Sequence, residues 1–240
     1  MRRISIVLDE SFNQANCYEC AQVTIEEKGG QKRSRLVTIG SLLRAMTRST
    51  VRRRTSIPIG KIPFGYYESE VGENQGKLCA TVITVLPASR QMIQYENTMY
   101  DVCLPSLVFR FEVDCEMLRS TSVYVLKDET PSDKSKLYRY PFGNVSMEGR
   151  VCWGSNVLPR IKELKTLESV MMLFIQSPGN SDYFKGKEYC GHKDYTLRQL
   201  LEKLKDEETY PGNFLVPLKR NGKNVLLKDL NTWKQILNKS

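Results

Sequence analysis

The 240-residue chain has the composition of an ordinary folded protein. Hydrophobic residues make up 40% and charged residues 26%, which excludes disordered and fibrous classes. Seven scattered cysteines in a chain of this length favour reduced thiols over a disulfide framework. A single histidine argues against zinc hydrolases with several His ligands and against most catalytic triads. The formal net charge of +9 favours acidic partners.

Residues 1–75 are predicted to form an N-terminal β/α extension. The β-branched runs I-S-I-V-L, A-Q-V-T-I-E and R-L-V-T-I predict strands, with a turn at Gly29-Gly30 and a short helix capped by Ser41. The first apolar run is too short for a signal sequence, and no window is long enough for a membrane span. We therefore expect a cytoplasmic protein.

A basic stretch follows that helix and contains Arg44, Arg48 and the triplet Arg52 to Arg54. It is read either as a solvated helix end and loop or as a patch for nucleic acid or for an acidic protein partner. No aromatic residues are interleaved with it, so base stacking has no support there.

Residues 76–240 are predicted to form the core of an α+β protein. Four runs at hairpin spacing predict an antiparallel meander: L-C-A-T-V-I-T-V-L, Q-M-I-Q-Y, L-P-S-L-V-F-R-F-E-V and S-V-Y-V-L-K. In the third, one face carries Leu107, Phe109, Phe111 and Val113, while Arg110 and Glu112 lie on the other.

Helices follow the strands. Pro159 is placed in the first turn of a helix that uses Ile161, Leu164, Leu167, Met171 and Phe174 and stops at S-P-G-N-S-D. A second helix is expected from about Tyr195, a hairpin at Asn221-Gly222 and a short final helix using Leu230, Trp233, Ile236 and Leu237.

The stretch Y-P-F-G-N-V-S-M-E-G-R-V-C-W-G-S, residues 140–155, carries the candidate site. It places Cys152 at the end of a tight turn, where a nucleophile would lie, rather than within an apolar face. The spacing from Asn144 through Gly149 to Cys152 resembles the active-site segment of ubiquitin-conjugating enzymes. The longer run from Leu137 to Ser155 resembles the bacterial ubiquitin-conjugating-like family of PRTRC cassettes, PRTRC system protein B.

The resemblance implies a ubiquitin-conjugating-enzyme-like fold, with an antiparallel meander, an active-site loop and C-terminal helices. It implies an enzyme that holds a ubiquitin-like protein as a thioester on Cys152, with the Asn144 amide stabilising the oxyanion and Gly149 allowing the turn a positive φ. Two features depart from the family pattern: Phe142-Gly143 replaces His-Pro, and Trp153 replaces Leu. Asp182 resembles the acidic residue with which some members lower the pKa of the incoming lysine.

The implied partners are a ThiF-type activating enzyme, a ubiquitin-like protein and a JAB-type metalloprotease. Two other functions stay open: a catalytically silent adaptor of the same fold, and a basic nucleic-acid-binding protein of a mobile-element cassette. No cofactor and no metal are predicted. Cys17 and Cys20 with Cys190 and His192 have the residue types of a zinc site, but reduced structural thiols are the preferred interpretation.

Overall fold

The computed structural model describes residues 3–8, 20–27, 30–43, 60–192 and 194–230. The chain divides into two compact units, Met1–Ser56 and Ile57–Ser240. The first unit holds three antiparallel strands in the order β1-β2-β3: β1 (Arg3–Leu8), β2 (Cys20–Glu26) and β3 (Lys32–Thr38). The three predicted N-terminal strands are therefore confirmed.

The helix after β3 begins earlier than predicted. Residues 39–43 are helical, and the Ser41 amide donates a hydrogen bond of 3.3 Å to Thr38 Oγ1. Thr38, rather than Ser41, therefore provides the side-chain oxygen that satisfies an amide at this helix start. The basic stretch from Arg44 to Arg54 lies outside the described residues.

The second unit is built on a five-stranded antiparallel sheet in the order β10-β9-β8-β5-β4. These strands are β4 (Tyr66–Asn74), β5 (Lys77–Leu86), β8 (Ser106–Asp114), β9 (Met117–Leu126) and β10 (Leu137–Arg139). The predicted boundary between residues 75 and 76 falls in the two-residue turn between β4 and β5.

The predicted meander of four consecutive strands was wrong in one respect. Strand β6 (Ser89–Tyr95) does not join the main sheet but pairs with β7 (Thr98–Leu104) in a separate hairpin. Strand β5 pairs instead with β8, across this insertion. A tight turn at Glu96-Asn97 folds β6 straight back onto β7, so each of the two strands has its partner locally.

The alternation predicted for β8 is confirmed. Its residues Leu107, Phe109, Phe111 and Val113 are buried in the main core, while Arg110 and Glu112 are half-exposed. The opposite face of the sheet is also covered near β10, because Val108 belongs to a second core cluster with the C-terminal residues Val225 and Leu227.

Three helices follow the sheet: α1 (Thr166–Gln176), α2 (Gly186–Cys190) and α3 (Leu197–Leu204). Helix α1 begins later than predicted, so Pro159 does not lie in its first turn. The preceding loop instead passes over the β8–β9 turn, where the Ile161 amide donates a 2.8 Å hydrogen bond to the Glu116 carbonyl. Ile161 and Leu164 are nevertheless fully buried.

Helix α3 follows its predicted pattern. Thr196 and Gln199 form a capping box, and Leu197, Leu200, Leu201 and Leu204 are buried on one face. The hairpin at Asn221-Gly222 is confirmed by β11 (Lys219–Arg220) and β12 (Lys223–Asn224). The predicted final helix lies mostly outside the described residues, which end at Leu230 in a short 3₁₀ helix (Leu227–Leu230).

None of the described helices combines the length and apolar content needed to cross a membrane.

Candidate active site

The candidate loop folds back on itself between Asn144 and Cys152. The Cys152 amide donates a 2.8 Å hydrogen bond to the Asn144 carbonyl, and Val145 forms an antiparallel bridge with Val151. The backbone therefore brings together the two residues that the sequence analysis selected. Cys152 is exposed, so its thiol is accessible to a large partner.

A tight turn at the tip of this loop fixes its shape. The Gly149 amide donates to the Ser146 carbonyl at 2.9 Å, and the Arg150 amide donates to Ser146 Oγ at 3.2 Å. Gly149 has a φ of +92°, the positive φ that the family resemblance implies. A Cβ at Gly149 would lie 2.2 Å from Cε1 of Tyr124, so this position needs glycine for space as well as for conformation.

The same loop extends the main sheet beyond the end of β10. The Val151 amide donates 2.9 Å to the Thr121 carbonyl, and the Val123 amide donates 2.8 Å to the Gly149 carbonyl. The edge of β9 is thus paired first with β10 and then with residues 149–151. Because backbone hydrogen bonds to a sheet hold the residues immediately before Cys152, the cysteine follows a rigid element.

Asn144 is held at both ends of its side-chain amide. Nδ2 donates 2.8 Å to the Pro178 carbonyl, and Oδ1 accepts 3.1 Å from the Asn180 amide. These partners also fix which atom is nitrogen, because a carbonyl faces one end and an N–H the other. The residue has a φ of +65°, a left-handed conformation that asparagine adopts more readily than most residues.

The Phe142-Gly143 pair, which departs from the family's His-Pro, has a structural explanation. A Cβ at Gly143 would lie 1.8 Å from the Asn180 carbonyl oxygen, so the 178–180 loop approaches too closely for any side chain. Phe142 is buried, with its ring edge-on to Tyr140 and Tyr210 at centroid distances of 5.4 and 6.1 Å. Support for Asn144 therefore comes from the 178–180 loop.

Trp153 anchors the chain on the other side of the cysteine. Its ring packs edge-on against Phe174 of α1 at 6.2 Å. The following loop is exposed, with Val157 at 91% exposure, and the Asn156 side chain donates 3.1 Å to Ser177 Oγ. The exposed thiol therefore lies between an anchored aromatic residue and a sheet-bound loop.

A buried tyrosine supports the loop from below. Tyr189 of α2 donates a 2.9 Å hydrogen bond through its hydroxyl to the Val145 carbonyl and is 1% exposed. Burial raises the pKa of Tyr189 to about 12. The phenol is consequently a neutral hydrogen-bond donor over the whole physiological pH range.

Pro178 and Asn180 were predicted only to end a helix, and Tyr189 was not predicted to contribute to the site. Their contacts to the loop join residues 34, 36 and 44 positions apart, a separation at which no local pattern remains. Gly143 was the one available signal, because a glycine beside a functional residue often marks a close approach of backbone.

The remaining candidates lie apart from this arrangement or do not contribute to it. Asp182 is exposed, and its amide donates to the Asn180 side chain at 3.2 Å. Cys190 is buried and donates to the Gly186 carbonyl, while His192 packs between Tyr195 and Phe214. These contacts fit the preferred interpretation of structural residues. Cys17 lies outside the described residues.

Comparison with known proteins identifies the class. Residues 62–218, well over half of the chain, match the model of prokaryotic E2 family D. The matched segment includes the main sheet, the candidate loop and helices α1 to α3. E2 proteins are the ubiquitin-conjugating class that the candidate loop resembles, and the chain belongs to prokaryotic E2 family D. No curated protein and no solved structure matches the sequence. The narrower resemblance to PRTRC system protein B stays a prediction.

Proposed function

We propose that this protein carries a ubiquitin-like protein as a thioester on Cys152 and transfers it to an amine. The observation that carries the proposal is the pairing of an exposed cysteine with Asn144 through one backbone hydrogen bond in a loop fixed to the sheet. The family membership supports the same class of reaction.

The proposed chemistry has two steps, and each exchanges one bond at the carbonyl carbon. First, the Cys152 thiolate attacks the C-terminal carbonyl of a ubiquitin-like protein held as a thioester on an activating enzyme. A new C–S bond forms, and the enzyme's thiolate leaves. In the second step an amine attacks the same carbon, a C–N bond forms, Cys152 leaves as thiolate and the amine loses a proton.

Asn144 is proposed to stabilise the oxyanion that forms in both steps. Its Nδ2 has two hydrogens, and one is donated to the Pro178 carbonyl. The other has no partner among the described residues. An oxyanion donor works best when its position is fixed before the reaction, and the contacts to Pro178 and Asn180 fix this amide.

The proposed partners are those that the family resemblance implies. We propose a ThiF-type enzyme that adenylates the ubiquitin-like C-terminus, the ubiquitin-like protein itself and a JAB-type metalloprotease that reverses the modification. The reaction is proposed to take place in the cytoplasm.

The test of Cys152 is a thioester assay. The protein is incubated with the proposed activating enzyme, the ubiquitin-like protein and ATP, and is run on non-reducing gels with and without added thiol. We expect a thiol-labile adduct with the wild-type chain, an adduct that resists thiol with Cys152→Ser, and none with Cys152→Ala. Cys103→Ser is the matched control, because Cys103 is a half-buried thiol in the β6–β7 hairpin.

The adaptor alternative predicts a different result. If the activating enzyme is charged but the wild-type chain forms no adduct, and Cys152→Ala still binds the ubiquitin-like protein, the thioester proposal is wrong.

The test of Asn144 separates catalysis from folding. Asn144→Gly keeps the left-handed backbone available but removes the side-chain amide. Because removing one oxyanion donor costs about 10²–10³-fold in rate, we expect single-turnover adduct formation and discharge to slow by that order. Equal rates in Asn144→Gly and wild type, with both chains folded, would count against an oxyanion role.

A further inference from the structure

A cluster of two thiols and one carboxylate lies at the far end of the main sheet. Cys79 is near the start of β5, and Asp114 and Cys115 end β8 and begin the turn to β9. The Cys79 and Cys115 sulfurs and an Asp114 oxygen all lie within 4.8 Å of one another. Both thiols are half-buried. No pattern in the sequence marks these three residues as a site.

The spacing of these atoms suits a metal ion. The Cys79 thiol donates a hydrogen bond of 3.5 Å to Asp114 Oδ1, so the two atoms already face each other. A tetrahedral zinc ion with Zn–S of about 2.3 Å and Zn–O of about 2.1 Å separates such a pair by roughly 3.6 Å. Thiolate ligands select zinc or copper(I), and a carboxylate in the set favours zinc of the two.

The backbone of the turn is strained where the cysteine sits. Asp114 pairs with Met117, so Cys115 and Glu116 form a two-residue turn, and both have positive φ, +50° and +66°. Such turns normally carry Asn-Gly or Asp-Gly. The chain supplies glycine in two others, Gln75-Gly76 and Asn221-Gly222. The β6–β7 turn has a positive φ at Glu96 alone, so among the two-residue turns of the described chain this is the one with non-glycine residues at positive φ in both central positions. Such strain persists only where the surrounding structure holds it in place.

Other groups orient the cluster. The Cys115 amide donates to Cys79 Sγ at 3.3 Å, an N–H···S contact that stabilises a thiolate. Arg119 holds Asp114 Oδ2 at 3.3 Å, which leaves Oδ1 directed at the sulfur. Two thiolates, one carboxylate and a divalent ion sum to a charge of minus one, and Arg119 neutralises it.

We propose that Cys79, Asp114 and Cys115 bind a zinc ion, with water in a fourth position. Among the described residues no further cysteine, histidine or carboxylate joins this group. The ion would tie the start of β5 to the β8–β9 turn. That turn also binds the segment after Cys152 through the hydrogen bond from Ile161 to Glu116. The site does not depend on the proposed thioester chemistry.

The experiment uses the full chain in a Cys152→Ala background, so that the exposed thiol cannot contribute. The protein is reduced, freed of metal with a chelator and titrated with cobalt(II) as a spectroscopic substitute, then with zinc in competition with a chromophoric chelator. We expect stoichiometric cobalt uptake with a thiolate-to-cobalt charge-transfer band, displacement by zinc and a zinc-dependent rise in Tm.

Variants assign the ligands. Cys79→Ser and Cys115→Ser are expected to remove the charge-transfer band. Asp114→Asn is expected to weaken zinc binding by at least about tenfold, because the loss of a residue that only supports a metal ligand already costs about that much affinity. Cys103→Ser is the matched control and keeps full binding. Circular dichroism checks that each variant is folded.

Two results would overturn the proposal. One is the absence of a thiolate band in the reduced Cys152→Ala chain with Cys79, Asp114 and Cys115 intact. This includes the case in which Cys79 and Cys115 form a disulfide in air but take up no metal after reduction. The other is a band that survives in both cysteine variants.

Discussion

Asn144 uses both ends of its side-chain amide to hold the 178–180 loop, and Gly143 makes that contact possible. The carbonyl of Asn180 occupies the space that a Gly143 side chain would need. The loop in turn positions the Asn144 amide through Pro178 and Asn180. At the scale of single residues, the lack of a side chain at Gly143 therefore allows the 178–180 loop to hold the Asn144 amide in place.

Gly143→Ala is expected to displace this loop. Its Cβ would lie 1.8 Å from a backbone oxygen that no side-chain rotation can move. Overpacking of this kind costs about 1–3 kcal/mol, which denaturant unfolding will measure, and thioester discharge should slow because the Asn144 amide loses its supports. Gly72→Ala is the matched control, since its Cβ would meet only the Cys79 carbonyl at 4.0 Å. Equal stabilities of the two variants would contradict this explanation of Gly143.

Tyr189→Phe tests the support beneath the loop. Removing the hydroxyl leaves the Val145 carbonyl without its buried donor, which costs about 1–3 kcal/mol at neutral pH. Burial raises the pKa of Tyr189 to about 12, above the unfolded value near 10. The stability from the protonated phenol is therefore fully present below pH 10 and is lost as pH rises through 12.

The measurement is the unfolding free energy of wild type and Tyr189→Phe across that range. The difference between them should shrink as pH rises from about 10 to about 12. The other buried tyrosines are present in both proteins, so their effects on the unfolding free energy cancel in the difference. Tyr66→Phe, at an exposed position, is the control variant. A difference that stays constant from about pH 8 to about pH 12 would exclude this linkage.

At the scale of elements, the candidate loop behaves as a short strand added to the edge of β9. Its backbone hydrogen bonds to Thr121 and Val123 continue the pairing that β10 begins. The turn at Gly149 packs against the ring of Tyr124, which follows Val123 in β9. The ring lies so close that position 149 has no room for a side chain. The position of Cys152 is therefore determined both by the hydrogen bonds of the loop to β9 and by the glycine turn that precedes the cysteine.

Gly149→Ala is expected to destabilise the protein more than Gly222→Ala. Both glycines have positive φ, so both variants lose about 1–2 kcal/mol to backbone strain. Only at Gly149 does the new Cβ also meet a ring, which adds about 1–3 kcal/mol. Chemical denaturation gives both values, and Gly222 has open space around it. If the two variants were equally stable, the Tyr124 contact would not constrain the turn.

At the scale of the whole molecule, the net charge of +9 predicts an acidic partner. We expect transfer from the activating enzyme to slow as salt rises from about 0.1 to 1 M, where the screening length falls from about 10 to 3 Å. Replacing Arg52, Arg53 and Arg54 with Gln should remove most of that dependence.

Three exposed basic residues of the C-terminal hairpin provide the matched control: Lys219, Arg220 and Lys223. Their replacement with Gln removes the same charge and should leave the salt dependence intact. Equal transfer at low and high salt would exclude the arginine triplet as a docking site.

Local patterns predicted the features that depend on nearby residues. The alternation in β8, the apolar face of α3 and the glycine turn before Cys152 each depend on residues within a few positions. Strand β4 was missed because its sequence, Y-Y-E-S-E-V-G-E-N, is mostly polar, as suits an edge strand.

Features set by distant contacts could not be predicted in this way. The pairing of β5 with β8 depends on the β6–β7 hairpin leaving the sheet. The later start of α1 accompanies a hydrogen bond between Ile161 and Glu116 in the β8–β9 turn. At the candidate site, Asn144 and Cys152 were predicted from spacing, but the supports of Asn144 come from the loop after α1.

The most direct test of the central claim is to locate the attachment site of the ubiquitin-like protein. The Cys152→Ser chain is incubated with the activating enzyme, ATP and the ubiquitin-like protein, and the stable adduct is digested and mapped by mass spectrometry. We predict a single ester, on the hydroxyl that replaces the Cys152 thiol, carrying the C-terminal fragment of the ubiquitin-like protein. A fragment attached only to another residue, or no ester when the activating enzyme is charged, would contradict the assignment of Cys152 as the carrier.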